Sequence, residues 1–234
     1  TSSRGDRDVA VVALIPAAGL GTRFHDAGPK ALVRLAGRPF LLHALERLAA
    51  SRRVDRAVVA VSPGHEAAFA AALEGFRAMP VATTPGGETR RDSVVAAWRA
   101  SGAADDDLLC VHDAARPLVD PADVAAVVDA AAEHGAALAG SPVTDTVKRL
   151  RDGFVAGTVP RYDLFAAATP QVMRAGLLRE AVEAGLADAT DDVELLERRG
   201  VPVRAVVTSR WNVKITFPED LRRAEAWLAA EGRR

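Results

Sequence analysis

An apolar run rich in β-branched residues, Val9 to Ile15, stops at Pro16 and enters the glycine-bearing loop Ala17-Ala18-Gly19-Leu20-Gly21. A strand that is apolar at every position, rather than at alternate ones, must be covered on both faces, as a central strand of a parallel sheet is. The following segments fit that requirement. Leu41, Ala44, Leu45 and Leu48 recur at helical spacing, Arg56 to Val61 is strand-like and closed by Pro63-Gly64, and a second helix begins near Glu66. The alternation continues with a strand over Met79 to Thr83, a helix around Val94, Ala97 and Trp98, a strand over Leu108 to Val111, and a helix carrying Val124, Val127, Val128 and Ala131 on one face. This order predicts an α/β fold with a mainly parallel sheet and helices on both faces, in which ligands collect in the loops at the carboxyl ends of the strands.

The rhythm breaks between about 143 and 160. Two short strand-like runs flank Asp152-Gly153, a dipeptide suited to a tight hairpin, so a β-arm inserted into the core is expected there. Helices over Arg174 to Ala184 and Asp191 to Arg199, a strand over Val203 to Val207 and a last helix from Pro218 with Leu221, Ala224 and Leu228 complete the pattern. With 234 residues, 49% of them hydrophobic, one domain spanning the chain can bury a substantial core. Thr1 to Asp8 is polar and charged, which predicts a disordered start. The chain stops soon after the final helix, so a fused downstream cyclase domain is not expected.

Charge and cysteine usage narrow the partners. Thirty basic residues nearly cancel 31 acidic ones, and a net charge of −1 gives no global field for nucleic acid or an anionic membrane. The first apolar run is only about seven residues long, too short for a signal peptide or a membrane span. Cys110 is the single cysteine, so no internal disulfide forms, which fits a reducing cytoplasm.

Phosphate binding must therefore come from local loops. The first runs from Pro16 through Gly19, Gly21 and Arg23 to Gly28-Pro29-Lys30; its glycines let backbone N–H groups approach phosphate oxygens, and Arg23 and Lys30 supply charge. The Gly-x-Gly alone describes a tight strand-to-helix turn equally well, since it has neither the third glycine of a dinucleotide fingerprint nor the ending of a P-loop. The second loop, Pro85-Gly86-Gly87-Glu88-Thr89-Arg90-Arg91-Asp92-Ser93, offers backbone groups and Glu88 or Ser93 to a base edge, or merely places Asp92 or Ser93 as a helix N-cap. The third, His112-Asp113-Ala114-Ala115-Arg116-Pro117, puts an Asp and an Arg at the end of a central strand, fitted to a hydroxyl or metal and to a phosphate, or to an internal salt bridge. His112 reads as a packing residue. Farther on, Thr144-Asp145-Thr146-Val147-Lys148, Arg161, Thr169-Pro170-Gln171, Thr190-Asp191-Asp192 and Asn212-Val213-Lys214-Ile215-Thr216 are individually ordinary. Thr190 is most simply an N-cap and Lys148 a solvated face, but Lys214 is a cation in an apolar, strand-like context.

Taken in order, these motifs resemble the 2-C-methyl-D-erythritol 4-phosphate cytidylyltransferase family of the non-mevalonate isoprenoid pathway, from about Val9 to Leu228. The resemblance implies a Rossmann-like fold of the nucleotide-diphospho-sugar transferase type. It implies that Arg23 and Lys30 hold the triphosphate of CTP, while Arg161 and Lys214 position the acceptor phosphate. It further implies that Ala17, Ala18, Gly87, Glu88 and Ser93 recognise cytosine, with Gly19 and Arg116 also contacting substrate, Ala114 meeting the ribose, and Asp113, Thr146, Thr169 and Thr190 contacting the acceptor. Glu88 stands where the family pattern has Asp. A divalent cation, Mg2+, is implied, held mainly by the CTP phosphates, with no protein metal ligands assigned. So is a homodimer whose β-arms cross, bringing Thr146 and Arg161 to the partner's site. Alternatives are a ribitol 5-phosphate cytidylyltransferase, a nucleotidyltransferase for another base, or a non-catalytic nucleotide-binding module.

Overall fold

The computed structural model describes residues 9–20, 28–185 and 191–231. The expected disorder of residues 1–8 falls outside them. The elements in chain order are β1 (Val11–Ala17), β2 (Arg34–Leu35), β3 (Arg38–Pro39), α1 (Phe40–Ala50), β4 (Arg56–Val61), α2 (Glu66–Leu73), β5 (Val81–Pro85), α3 (Arg90–Ser101), β6 (Leu108–Val111) and α4 (Pro121–His134). They continue with β7 (Ala136–Pro142), β8 (Val147–Arg151), β9 (Phe154–Val159), β10 (Phe165–Arg174), α5 (Ala175–Glu183), α6 (Glu194–Glu197), β11 (Arg204–Val207) and α7 (Pro218–Glu231).

Seven strands form the central sheet in the order β11-β7-β10-β6-β1-β4-β5. All neighbours pair in parallel except β10, which runs against both β6 and β7. The two faces of the sheet are buried by separate apolar layers. Val11, Ala13, Ile15 and Ala17 of β1 meet Leu41, Leu45 and Leu48 of α1 and Val124, Val127 and Val128 of α4. Val12 and Leu14 point the other way, into a layer with Val94 and Ala97 of α3 and Leu178 and Ala181 of α5. That two-sided burial is the reason the first strand carries no alternation. At about 25 cal/mol per Å2, each such large aliphatic side chain contributes about 1.5 to 3 kcal/mol. A third, smaller cluster seats α7 through Ala224 against Leu35, Phe40, Leu118 and Ile215.

Four boundaries differ from the sequence reading. β1 continues through Pro16, because the residues facing the β6 side have run out of partner there: Leu14 O accepts from His112 N at 3.0 Å, and the β1–β6 ladder ends at Leu14. The missing N–H of Pro16, two residues on, therefore breaks no bond. β5 starts at Val81 rather than Met79, just after Pro80. α6 is one turn rather than the expected nine residues, since Asp191 and Asp192 spend their groups on other partners: Asp191 Oδ1 accepts from Glu194 N, and Asp192 N donates to Gln171. The strand-like context of Lys214 corresponds to no named strand.

Strands β7 and β10 were missed. Both are rich in Ala and small residues, without the β-branched runs that mark β1 and β4. The β10–β7 register shifts between Ala167 and Gln171, a stretch that includes Pro170, which has no N–H to give. The hairpin expectation holds at Asp152-Gly153, where φ is 51° and 83°, joining β8 to β9 in a two-stranded sheet separate from the central one.

Gly140 in β7 lies under the Phe165 ring of β10; a Cβ there would sit 2.3 Å from Phe165 Cε1 and 2.5 Å from Ala166 O. Gly140→Ala is expected to destabilise the fold by about 2 kcal/mol, a drop in Tm of roughly 5 °C measurable by thermal denaturation.

Candidate active site

The loops that follow β1, β5 and β6 converge, as the parallel topology requires, on one cleft of about 340 Å3 at the carboxyl edge of the sheet. Pro16, Ala17, Ala18, Gly19 and Leu20 form one wall, Gly87, Glu88, Thr89, Arg90 and Ser93 a second, and Asp113, Ala114 and Ala115 a third. Lys30 and Lys214, almost two hundred residues apart, both line it, with Thr216 beside them.

The first two walls are held against each other at close range. Ser62 Oγ donates to Ala18 O at 2.8 Å, and Gly86 N donates to Val61 O at 2.8 Å. A Cβ on Gly86 would lie 2.5 Å from Ala18 Cβ, so only glycine lets these loops touch. Gly87 N donates to Ser93 Oγ at 3.2 Å, and that hydroxyl donates in turn to Thr89 O at 3.1 Å. Ser93 is 1% exposed and acts from beneath the turn. The N-cap of α3 is Thr89, not Asp92 or Ser93: Thr89 Oγ1 accepts from Asp92 N, and Asp92 accepts from Thr89 N, a reciprocal capping box.

The third wall is electrostatic. Asp113 Oδ1 accepts from Arg90 Nε at 3.0 Å and Asp113 Oδ2 from Lys214 Nζ at 2.8 Å. Burial works to raise this carboxyl's pKa, but the two cations outweigh it and hold it well below the usual carboxylate range. Arg90 Nη1 also donates to Asp192 Oδ2 at 2.7 Å. Burial disfavours the charge on Arg90 and the two carboxylates more than restore it, so its pKa lies above the ordinary value. Asp192, buried at 4% exposure, is pushed upward by that burial in spite of the Arg90 contact.

The backbone of Asp113 is fixed from below, where its N–H donates to Thr169 Oγ1 at 3.0 Å. That hydroxyl also bonds His112 Nδ1 at 3.1 Å, and His112 Nε2 bonds Arg116 O at 3.1 Å. Lys214 is set in register by its neighbours: Ile215 N donates to Ala115 O, Asn212 Nδ2 to Thr169 O, and Arg116 Nη1 to Asn212 O.

The structure thus brings together Ala17, Ala18, Gly19, Lys30, Gly87, Glu88, Ser93, Asp113, Ala114 and Lys214. Thr169 and Arg116 lie behind the cleft lining, engaged with Asp113 and Asn212, and the Asp113–Arg116 salt bridge weighed from sequence does not form; Asp113 has other cations. Thr146, in the arm, and Arg161, just after it, are not among the residues lining this cleft; Arg161 Nη1 donates to Thr144 O at the base of the arm. Lys148, read as a solvated face, donates to Thr158 Oγ1 across the arm at 2.7 Å. Arg23 and Thr190 lie outside the described residues. Arg90, Asp192 and Thr216 stand in the loops quoted from the sequence but carry no role of their own in that reading. Arg90 did leave a signal: it is the first residue of a helix, where the macrodipole disfavours a cation, so a nearby carboxylate was to be expected.

A cleft walled by glycine turns and flanked by lysines, at the carboxyl edge of a mainly parallel sheet, is the architecture of a nucleotidyltransferase. The sequence matches the family described as 2-C-methyl-D-erythritol 4-phosphate cytidylyltransferase over residues 11–230. The chain belongs to that family. It is 43% identical over 228 residues to the enzyme of that name from Pelotomaculum thermopropionicum, covering 94% of each chain. It is 43% identical to the one from Chromobacterium violaceum, covering 94% of this chain and 98% of the relative. The crystal structure of the Thermus thermophilus enzyme superposes with a TM-score of 0.75 at 36% identity, over 95% of this chain and all of that one.

His112 is fully buried, and burial lowers its pKa to about 4. An unfolded histidine titrates near 6.5, so the folded state binds the proton less well. The stability that neutral His112 contributes is complete above pH 6.5 and is lost as pH falls toward 4, roughly 3 kcal/mol in all. Thermal melts at pH 7 and pH 5 are expected to show a smaller loss of Tm for His112→Asn than for the unmodified protein, whatever the offset between the two at pH 7.

Proposed function

We propose that the protein transfers the cytidylyl group of CTP to 2-C-methyl-D-erythritol 4-phosphate, giving 4-diphosphocytidyl-2-C-methyl-D-erythritol and pyrophosphate for isoprenoid synthesis. Supporting the reading, beyond membership of the family, is one observation: Lys30 and Lys214, from opposite ends of the chain, line the same cleft as the glycine turns.

An oxygen of the acceptor phosphate attacks the α-phosphorus of CTP; the new P–O bond forms as the bond to the bridging oxygen breaks and pyrophosphate leaves. The acceptor phosphate has a second pKa of about 6 and is an anion at neutral pH, so no base is needed. Buried His112, with both ring nitrogens engaged by Thr169 and Arg116 behind the cleft lining, is out of reach for that role in any case. The obstacle is repulsion between two anions, and the remedy is positioning and cationic charge. Lys30, with Arg23, is assigned to the triphosphate, and Lys214 to the acceptor phosphate. Ala17, Ala18, Gly87, Glu88 and Ser93 are assigned to cytosine, Gly19 and Ala114 to the rest of the nucleotide, and Asp113 with Thr190 to the acceptor. Thr169 and Arg116 serve the acceptor side through Asp113 and the Lys214 segment.

Among the described residues no group of three His, Cys, Asp or Glu side chains could hold a metal, and of the cleft carboxylates Asp113 has both oxygens bonded to cations. The donor set therefore suits a Mg2+ carried by the CTP phosphates and water, with Glu88 and Asp113 nearby. Such an ion, when bound, offsets charge on the phosphoryl oxygens.

One domain with an arm over residues 143–160 carries this reading, and the catalytic unit is a homodimer. The arm exposes Leu150, Phe154 and Val155, with Tyr162 at 88% exposure just beyond it, an apolar set that a second copy would cover. Crossing arms would deliver Thr146 and Arg161 to the partner's acceptor site. Among the described residues no helix is long and apolar enough to cross a membrane. The cytoplasmic setting is inferred from the single cysteine, Cys110, which has no partner for an internal disulfide.

Purified protein given CTP and each polyol phosphate is expected to release pyrophosphate with 2-C-methyl-D-erythritol 4-phosphate; release only with ribitol 5-phosphate would shift the assignment to that acceptor. Lys30→Ala and Lys214→Ala are each expected to lower kcat/KM by about a hundredfold or more.

A further inference from the structure

Arg90 has no part in the transfer as described, yet it lines the cleft and joins two carboxylates. The charges alternate in a row, Asp192, Arg90, Asp113 and Lys214, at 2.7, 3.0 and 2.8 Å. Each comes from a different segment: the turn before α6, the first residue of α3, the loop after β6 and the stretch before α7. Their sum is zero. Without Arg90, two carboxylates would face one ammonium beside two polyanionic substrates. Asp113 Oδ1 would also lose its partner, and Lys214, already bonded to Asp113 Oδ2 at 2.8 Å, would balance that carboxylate alone instead of sharing it with Arg90, leaving less of its charge for a phosphate.

We propose that Arg90 is a positioning residue for the acceptor phosphate, which neutralises Asp113 and Asp192 and so leaves Lys214 available to that phosphate. The inference rests on the transfer reaction proposed above. Two observations assign the effect to the acceptor rather than to CTP. The nucleotide walls are held by bonds that do not pass through the Arg90 side chain, namely Ser62 Oγ to Ala18 O, Gly86 N to Val61 O and Gly87 N to Ser93 Oγ. Asp192, by contrast, begins the segment that Arg90 fastens, and its N–H is fixed by Gln171 Oε1 at 2.9 Å, so the guanidinium is the side-chain anchor of a turn already tied at its backbone.

The test compares the unmodified protein with Arg90→Gln and with the double variant Arg90→Gln/Asp192→Asn, measuring KM for each substrate by pyrophosphate release. Arg90→Gln is expected to raise the acceptor KM by about tenfold, the scale of one charge-assisted bond, and the CTP KM by less than about threefold. Adding Asp192→Asn removes one of the stranded negative charges and should recover most of the acceptor KM, which a purely structural loss would not allow. An acceptor KM that does not rise, an equal rise for both substrates, or no recovery in the double variant would overturn the proposal. If Arg90→Gln melts below the assay temperature, Arg90→Lys replaces it: the retained charge should give a smaller rise confined to the acceptor, and a rise shared by CTP overturns the idea. Should the unmodified protein not turn over the two substrates, the transfer reading falls and this inference with it; turnover without the Arg90 effect sinks the inference alone.

Discussion

Asp113 is a carboxylate at the carboxyl end of the central strand β6, with an exposure of 8%, and the site is arranged around its need for partners. A buried carboxylate without compensation is costly, and removing one partner of a buried pair typically costs about 3 to 5 kcal/mol. Here compensation comes from two cations, while a hydrogen bond from the residue's own N–H to Thr169 fixes its backbone. Because Arg90 and Lys214 lie on different segments, the requirement of one carboxylate fixes the nucleotide-side helix and the lysine-bearing stretch relative to the sheet.

The sheet makes that arrangement possible by being buried on both faces. With apolar layers above and below, the strands are packed on both faces, and the described residues of the loops at their carboxyl ends are brought to one rim. The close approach of Gly86 to Ala18 is an example: two backbone turns from β1 and β5 touch because the intervening strand β4 holds them one strand apart on either side. Rigid placement matters for a reaction between two anions, where the gain comes from donors already oriented before the substrates meet. The arm is the opposite case, a two-stranded sheet apart from the central one, with Leu150, Phe154 and Val155 exposed.

Some of the fold was legible because burial writes itself into composition. The apolar runs of β1, β4 and β6 and the spaced Leu and Val of α1 and α4 each announce an element, and the Asp152-Gly153 turn announces its hairpin. Strands β7 and β10 were not legible, since alanine and glycine pack under aromatic rings and helices without a β-branched signature. The site divided in the same way. Its glycines and its lysines could be named in advance, because a close backbone approach and a phosphate each demand particular residue types. Arg90, Asp192 and the supporting roles of Thr169 and Arg116 could not, because an ion pair between residues 102 positions apart leaves no local pattern.

By itself, then, the order of residues determined the α/β alternation, the sheet edge at which ligands gather and the family to which the chain belongs, since each depends on local periodicity or on short motifs. Only the tertiary structure decided which charges meet. Coulomb interactions and hydrogen bonds act over a few ångströms whatever the distance along the chain, so the pairing of Asp113 with Arg90 and Lys214, rather than with the nearby Arg116, was settled when the segments were brought to one rim.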